Sequence, residues 1–177
     1  RNRPDERHAE RTRAFGFERS YTMWWNTPLG VTEEQASADY SSMQAVTMQG
    51  GSREALEEYR DGGQLSQSLD GNTAWVGLRS KFFSSALIPR NREGQAATAE
   101  GSREQISTQD GKVEIRQITA GIVMPFAAGE NVSDSFTVYV GPMDYLRMDD
   151  YGVDLEAILD IGTMPFLGTI ILKPFAI

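Results

Sequence analysis

Cysteine is absent from the 177 residues, and histidine occurs once, as His8. Without a thiol the chain has no disulfide, no thiolate nucleophile and no cysteine-based zinc or iron–sulfur site. The lone imidazole lies among the first residues, where chains are usually loose. Ser-His-Asp triads, two-histidine zinc sites and His-based acid–base pairs are therefore not expected. Net positive charge is also missing, because 17 Lys and Arg stand against 25 Asp and Glu and the formal charge is −8. That balance leaves no broad basic surface for a run of phosphates, so nucleic acid is not expected as a partner. Anionic headgroups are disfavoured on the same ground.

What is present is one domain's worth of chain, with 40% apolar residues to fill a core. Residues 1–13 hold five arginines (Arg1, Arg3, Arg7, Arg11, Arg13) and three acids, forming a mixed-charge arm on an acidic body. No apolar stretch follows them, so the arm does not read as a secretory signal. Polar, turn-rich stretches punctuate the rest: Asn26 to Gly30, Gly50-Gly51-Ser52, Asp61-Gly62-Gly63, Asp70-Gly71-Asn72, Arg90 to Gly101, Asp110-Gly111 and Ala128 to Asn131. These read as loops. Between them lie short runs rich in β-branched and aromatic residues: Phe15 to Trp25, Met43 to Met48, Gln64 to Leu69, Ala74 to Leu78, Phe82 to Ile88, Lys112 to Ile118, Ile122 to Phe126 and Phe136 to Val140. Polar and apolar residues alternate through Lys112–Ile118 and Ser135–Val140, the period of a strand with one wet face. Strands in series with tight polar turns make antiparallel hairpins, and many of them make a sandwich or barrel. Phe82, Phe83 or their neighbours, Ile115, Val138 and Trp75 are expected to feed a single core.

After Gly141-Pro142 the character changes. Proline suits the first turn of a helix, and Met143–Met148 and Val153–Leu159 read as two short helices, the second with apolar residues on one side. Residues 161–177 then carry one charge, Lys173. As a helix this tail reaches about 25 Å, short of the roughly 30 Å core of a bilayer, and prolines and glycines interrupt it. Composition leaves two readings open, a terminal segment packed on the sandwich or a helix at a membrane interface.

Three motifs in order resemble one family. Ala74-Trp75-Val76-Gly77-Leu78 with Lys81-Phe82-Phe83-Ser84-Ser85-Ala86-Leu87-Ile88-Pro89, then Tyr139-Val140-Gly141-Pro142, then Leu155 to Gly162 with Lys173-Pro174-Phe175, are similar to segments of the periplasmic domain of the YidC membrane-protein insertases. The resemblance implies an all-β fold with short C-terminal helices, part of an antiparallel β-supersandwich like that of galactose mutarotases. It divides the chain into an arm (1–13), a β-sandwich (14–141), short helices (142–161) and an apolar membrane-proximal tail (162–177). It implies a non-catalytic accessory domain, without cofactor or metal, that assists insertion and folding of inner-membrane proteins at the periplasmic face of the bacterial inner membrane. Implied partners of the full-length protein are Sec translocon subunits and nascent membrane proteins. The membrane surface is met by the tail, through Phe166, Leu167, Ile170, Ile171 and Phe175.

Two rival functions use the same residues. A glycosidase or mutarotase needs two converging acid–base groups, but in Glu33-Glu34, Glu57-Glu58 and Asp149-Asp150 neighbours point to different sides of a strand or helix. The other rival is a secreted or cell-surface sandwich that binds carbohydrate or protein, with Tyr21, Trp24 and Trp25 as its stacking platform. The alternative for that strand places Tyr21, Met23 and Trp25 in the core and Trp24 outside.

Overall fold

The computed structural model describes residues 19–26, 42–108, 111–126 and 131–160. The fold is all-β and sandwich-like, with few helices. Its strands are β1 (Arg19–Trp25), β2 (Gln44–Gln49), β3 (Ser52–Leu56), β4 (Gln64–Arg79), β5 (Phe83–Pro89), β6 (Gly94–Thr108), β7 (Gly111–Phe126) and β8 (Phe136–Pro142). A short helix α1 (Tyr145–Asp149) and a 3-10 helix (Leu155–Leu159) follow. All strand pairings among the described residues are antiparallel.

The strands join in the order β1-β7-β6-β4-β2-β3, while β5 pairs with both β4 and β8. β4 carries this branch. Its first half, Gln64–Thr73, pairs with β6, and on the same edge Val76–Arg79 pairs with β5. The register slips between Asp70 and Thr73, so the polar stretch Asp70-Gly71-Asn72 is an irregularity inside one long strand. The β2–β3 turn, Gly50-Gly51, has both residues at positive φ, +56° and +81°, as a two-residue hairpin requires. The sheet is strongly curled. β7 and β2 stand three steps apart in the order, about 14 Å in a flat sheet, yet the Arg116 guanidinium on β7 donates to the Met43 carbonyl just before β2 at 3.0 Å. Tyr59 lies beside this crossing, with Arg103 and Arg116 at 4.6 and 5.9 Å from its ring centre.

Apolar residues gather on both faces of the central strands. One cluster, inside the curl, joins Ala45, Leu56, Leu65, Val76, Leu78, Leu87, Ile122 and Met124. The other joins Val46, Met48, Trp75, Ile88 and Tyr139 to Met148, Leu155 and Ile158 of the helical segment. The expected single core is thus two cores sharing β2, β4 and β5 as a common wall. Trp75 is fully buried as expected, and Ile115 is partly buried, but Phe82, Phe83 and Val138 are exposed. The cause is position: Phe83 pairs with Pro142 beyond the last β4 partner of β5, and β8 has one paired edge among the described residues.

The expected loop Arg90–Gly101 is mostly strand. Gly94 onward forms β6, and Ala96, Ala97 and Ala99 are buried. Small residues have weak strand propensity but allow close packing between β4 and β7, so burial decides the outcome. Beside it, Asp134 ties three segments together. Its carboxylate accepts from Arg92 Nε at 2.7 Å and Nη2 at 2.6 Å, and from the Tyr21 hydroxyl on β1. Asn91 reinforces the tie through the Ser133 carbonyl at 2.7 Å and the Ser135 amide at 3.1 Å. The hydrogen bonds from Arg92 outweigh the cost of burial and pull the Asp134 carboxyl down to about 2.

Candidate interaction surface at the C-terminal cap

The helical segment after β8 is a cap fastened to the sheet. Asp144 starts α1, its carboxylate accepting from the amides of Leu146 and Arg147 at 3.1 and 3.3 Å, which satisfies donors that a helix start leaves open. Arg147 adds a partly exposed ion pair to Asp144 at 3.4 Å. Met148, Leu155 and Ile158 then face the sheet and are fully buried. β4 holds the cap at two points. The Trp75 indole donates to the Val153 carbonyl at 2.8 Å, and Arg79 Nη1 donates to the Ile158 carbonyl at 3.0 Å. Between them lies Gly77, where an added Cβ would stand 2.9 Å from Ile158 Cδ1 and 3.2 Å from the Ser85 carbonyl. Ile158 reaches the β4 backbone because this position carries no side chain.

The described parts of the motifs that carried the family resemblance meet here. Trp75 and Ile88 line the core beneath the cap. Tyr139 packs edge-on against Tyr151 at 5.6 Å, and its hydroxyl donates to the Pro142 carbonyl. Burial foremost, with the nearby Asp144 charge, raises the Tyr139 pKa. Those motifs are the seat of the cap.

Beside the cap runs an open groove of about 730 Å³ along β8, lined by Arg90, Val138, Tyr139, Arg147, Asp150 and Tyr151 among others. Arg90 stands 5.8 Å from the Tyr151 ring centre, and Val138 and Val140 are 41% and 60% exposed. The residues on this surface are apolar, aromatic and singly charged groups. Among the described residues no three His, Cys, Asp or Glu side chains gather as a metal site, and no helix is long and apolar enough to cross a membrane.

The residues singled out in the tail, Phe166, Leu167, Ile170, Ile171 and Phe175, lie outside the described residues, as does the arm 1–13. The aromatic strand β1 is described. Tyr21 and Trp25 pack against the inner core, whereas Trp24 is 40% exposed and Met23 is exposed too. One indole therefore faces outward where a stacking platform calls for several rings. Sequence reasoning missed the two hydrogen bonds from β4 to the cap, because each joins residues nearly 80 positions apart.

Comparison with known proteins settles the family. The model of the YidC periplasmic domain matches residues 8–176. The chain belongs to the YidC periplasmic domain family. Relatives include proteins named membrane protein insertase YidC from Chlorobium luteolum, 32% identical over 160 residues, and Chlorobaculum parvum, 31% identical over 160 residues. A third, from Chlorobium phaeovibrioides, is 30% identical over 161 residues. Each alignment covers 88% of this chain and 26 or 27% of the relative, so the chain spans about a quarter of the length of these proteins. No solved structure shows significant similarity to it.

Proposed function

We propose that this chain is part of the periplasmic accessory domain of a membrane protein insertase and supports insertion and folding of inner-membrane proteins without catalysing a reaction. The observation that carries this reading is the family match across residues 8–176. The geometry of the cap supports it. The helical segment is pinned to a central strand and delivers the chain at Asp160 to the apolar residues 161–177. In this reading residues 1–13 are an arm, 14–141 the sandwich, 142–161 the cap and 162–177 a membrane-proximal tail. Phe166, Leu167, Ile170, Ile171 and Phe175 rest at the periplasmic face of the inner membrane. At about 1.5–3 kcal/mol for each large apolar side chain buried, five such residues hold the domain close to the bilayer. Nascent membrane proteins and Sec translocon subunits are the partners of the full-length protein.

The test is photo-crosslinking in the full-length insertase from Phe166, Ile170 and, as a distant control, Ser66. The tail positions are expected to capture lipid, translocon subunits or nascent chains, and Ser66 to capture none of them. Replacing Phe166, Ile170 and Ile171 together by Ser should impair insertion with the sandwich still folded. Normal insertion by that variant, or crosslinks no richer than those of Ser66, overturns the reading.

A further inference from the structure

Two arginines stand beside the point where the chain leaves the cap. Arg53 on β3 stands opposite Met48 of β2 and Arg79 on β4 opposite Gln44, both on the sheet face that carries the helical segment. A single oxygen, Asp160 Oδ2, lies 3.7 Å from Arg53 Nη2 and 3.9 Å from Arg79 Nη1. Both separations exceed a hydrogen bond, and Asp160 is 54% exposed whereas the arginine side chains are 21% and 19% exposed. Each guanidinium has five donors. Arg53 Nη2 donates to the Gln44 amide oxygen at 2.8 Å and Arg79 Nη1 to the Ile158 carbonyl, but the Nε atoms of both are buried without an acceptor. Burial, and next the charge of Arg53, lower the Arg79 pKa against the opposing pull of Asp160 and Glu57. The niche thus holds two partly desolvated cations, few acceptors and one loosely held carboxylate, on a chain whose net charge is −8.

We infer that the Arg53–Arg79 niche binds a phosphate group, whose oxygens take the place of the Asp160 carboxylate between the two guanidiniums. Asp160 Oδ2 marks a point from which one acceptor reaches both cations, and a phosphate supplies several oxygens in the geometry that guanidinium forks pair with. The acidic body disfavours broad contact with anionic surfaces, and a two-arginine pocket needs only one anion. Asp160 is displaced easily because half of it faces solvent and its bonds are long. The phosphate is either a free ion or the headgroup of a lipid. Only the lipid source rests on the membrane-proximal reading of residues 162–177.

Inorganic phosphate titrated into the whole 177-residue chain, followed through the arginine Nε–H resonances, tests the site. Saturable shifts of Arg53 and Arg79 are expected, absent with chloride at equal ionic strength. Asp160→Asn should tighten binding about five-fold by removing the competing carboxylate, and Arg53→Gln with Arg79→Gln should abolish it. No saturable shift, or unchanged affinity in Asp160→Asn, overturns the proposal. Flotation with phosphatidylglycerol vesicles then separates the sources. Vesicle binding lost in the double arginine variant identifies the lipid headgroup; vesicle binding indifferent to it, with phosphate binding intact, identifies the free ion and leaves the site standing.

Discussion

The two halves of β4 follow different rules. From Gln64 to Asp70 exposed and covered residues alternate, because the curl covers one face and water the other. From Thr73 to Leu78 the strand is enclosed on both faces, with Val76 and Leu78 in the inner core and Trp75 under the cap. A strand wet on one side reads as period two, and a strand buried on both sides reads as a continuous apolar run. The enclosed half also holds the chain's exit, so the family-like motif is concentrated where two cores share a wall.

The largest effect that should separate the halves is Trp75→Ala. It empties a fully buried site and removes the donor to Val153, for an expected loss of about 3–5 kcal/mol in urea unfolding. Leu69→Ala, in the half-wet part, should cost less than half as much; equal losses would break the distinction. Gly77→Val tests the cap from beneath. Overpacking against Ile158 should cost roughly 1–3 kcal/mol, and amide exchange should quicken at Ala157 and Asp160 while the β6–β7 ladder keeps its protection. Exchange rising everywhere would mean that the cores open as one unit.

Asp134 ties β1 to the segment before β6. Its folded carboxyl at about 2 lies below the unfolded 3.8, so its contribution is complete above about pH 4 and is lost as pH falls through about 2. That shift corresponds to about 2 kcal/mol at neutral pH. Asp134→Asn should lose about that much at pH 7 and flatten the acid limb between pH 4 and 2, as read by thermal unfolding at several pH values. The smallest effect is Asp144→Ala, about 1 kcal/mol through loss of the α1 cap, visible as local exchange at Leu146 and Arg147.

Much of the fold was legible wherever one face is wet. Lys112–Ile118 and Phe136–Val140 alternate in sequence and lie in strands, and Gly50-Gly51 turns where its composition says. β6 was hidden because Gly94–Glu100 is built of small residues whose strand character comes from burial between neighbours. At Phe82 and Phe83 it is the neighbours from Ser84 onward that are buried, and apolarity alone does not reveal that a ladder runs past its core. The motif around Trp75 pointed to the family, yet its bond to Val153 spans 78 positions and has no local signature. Asp134 has no signature in the sequence; three separate segments create its role.

The fastening of the cap also has a mechanical side. The chain exits at Asp160, and two hydrogen bonds fasten the cap to β4, a strand laddered to β2, β5 and β6. Tension applied beyond Asp160 is therefore carried into the middle of the sheet and shared among three ladders. The same tension on a lone border strand would unzip one bond after another. A domain pulled at this end should yield first by the cap lifting away, at low force, after which the load passes through Pro142 into β8 and peels that strand from β5.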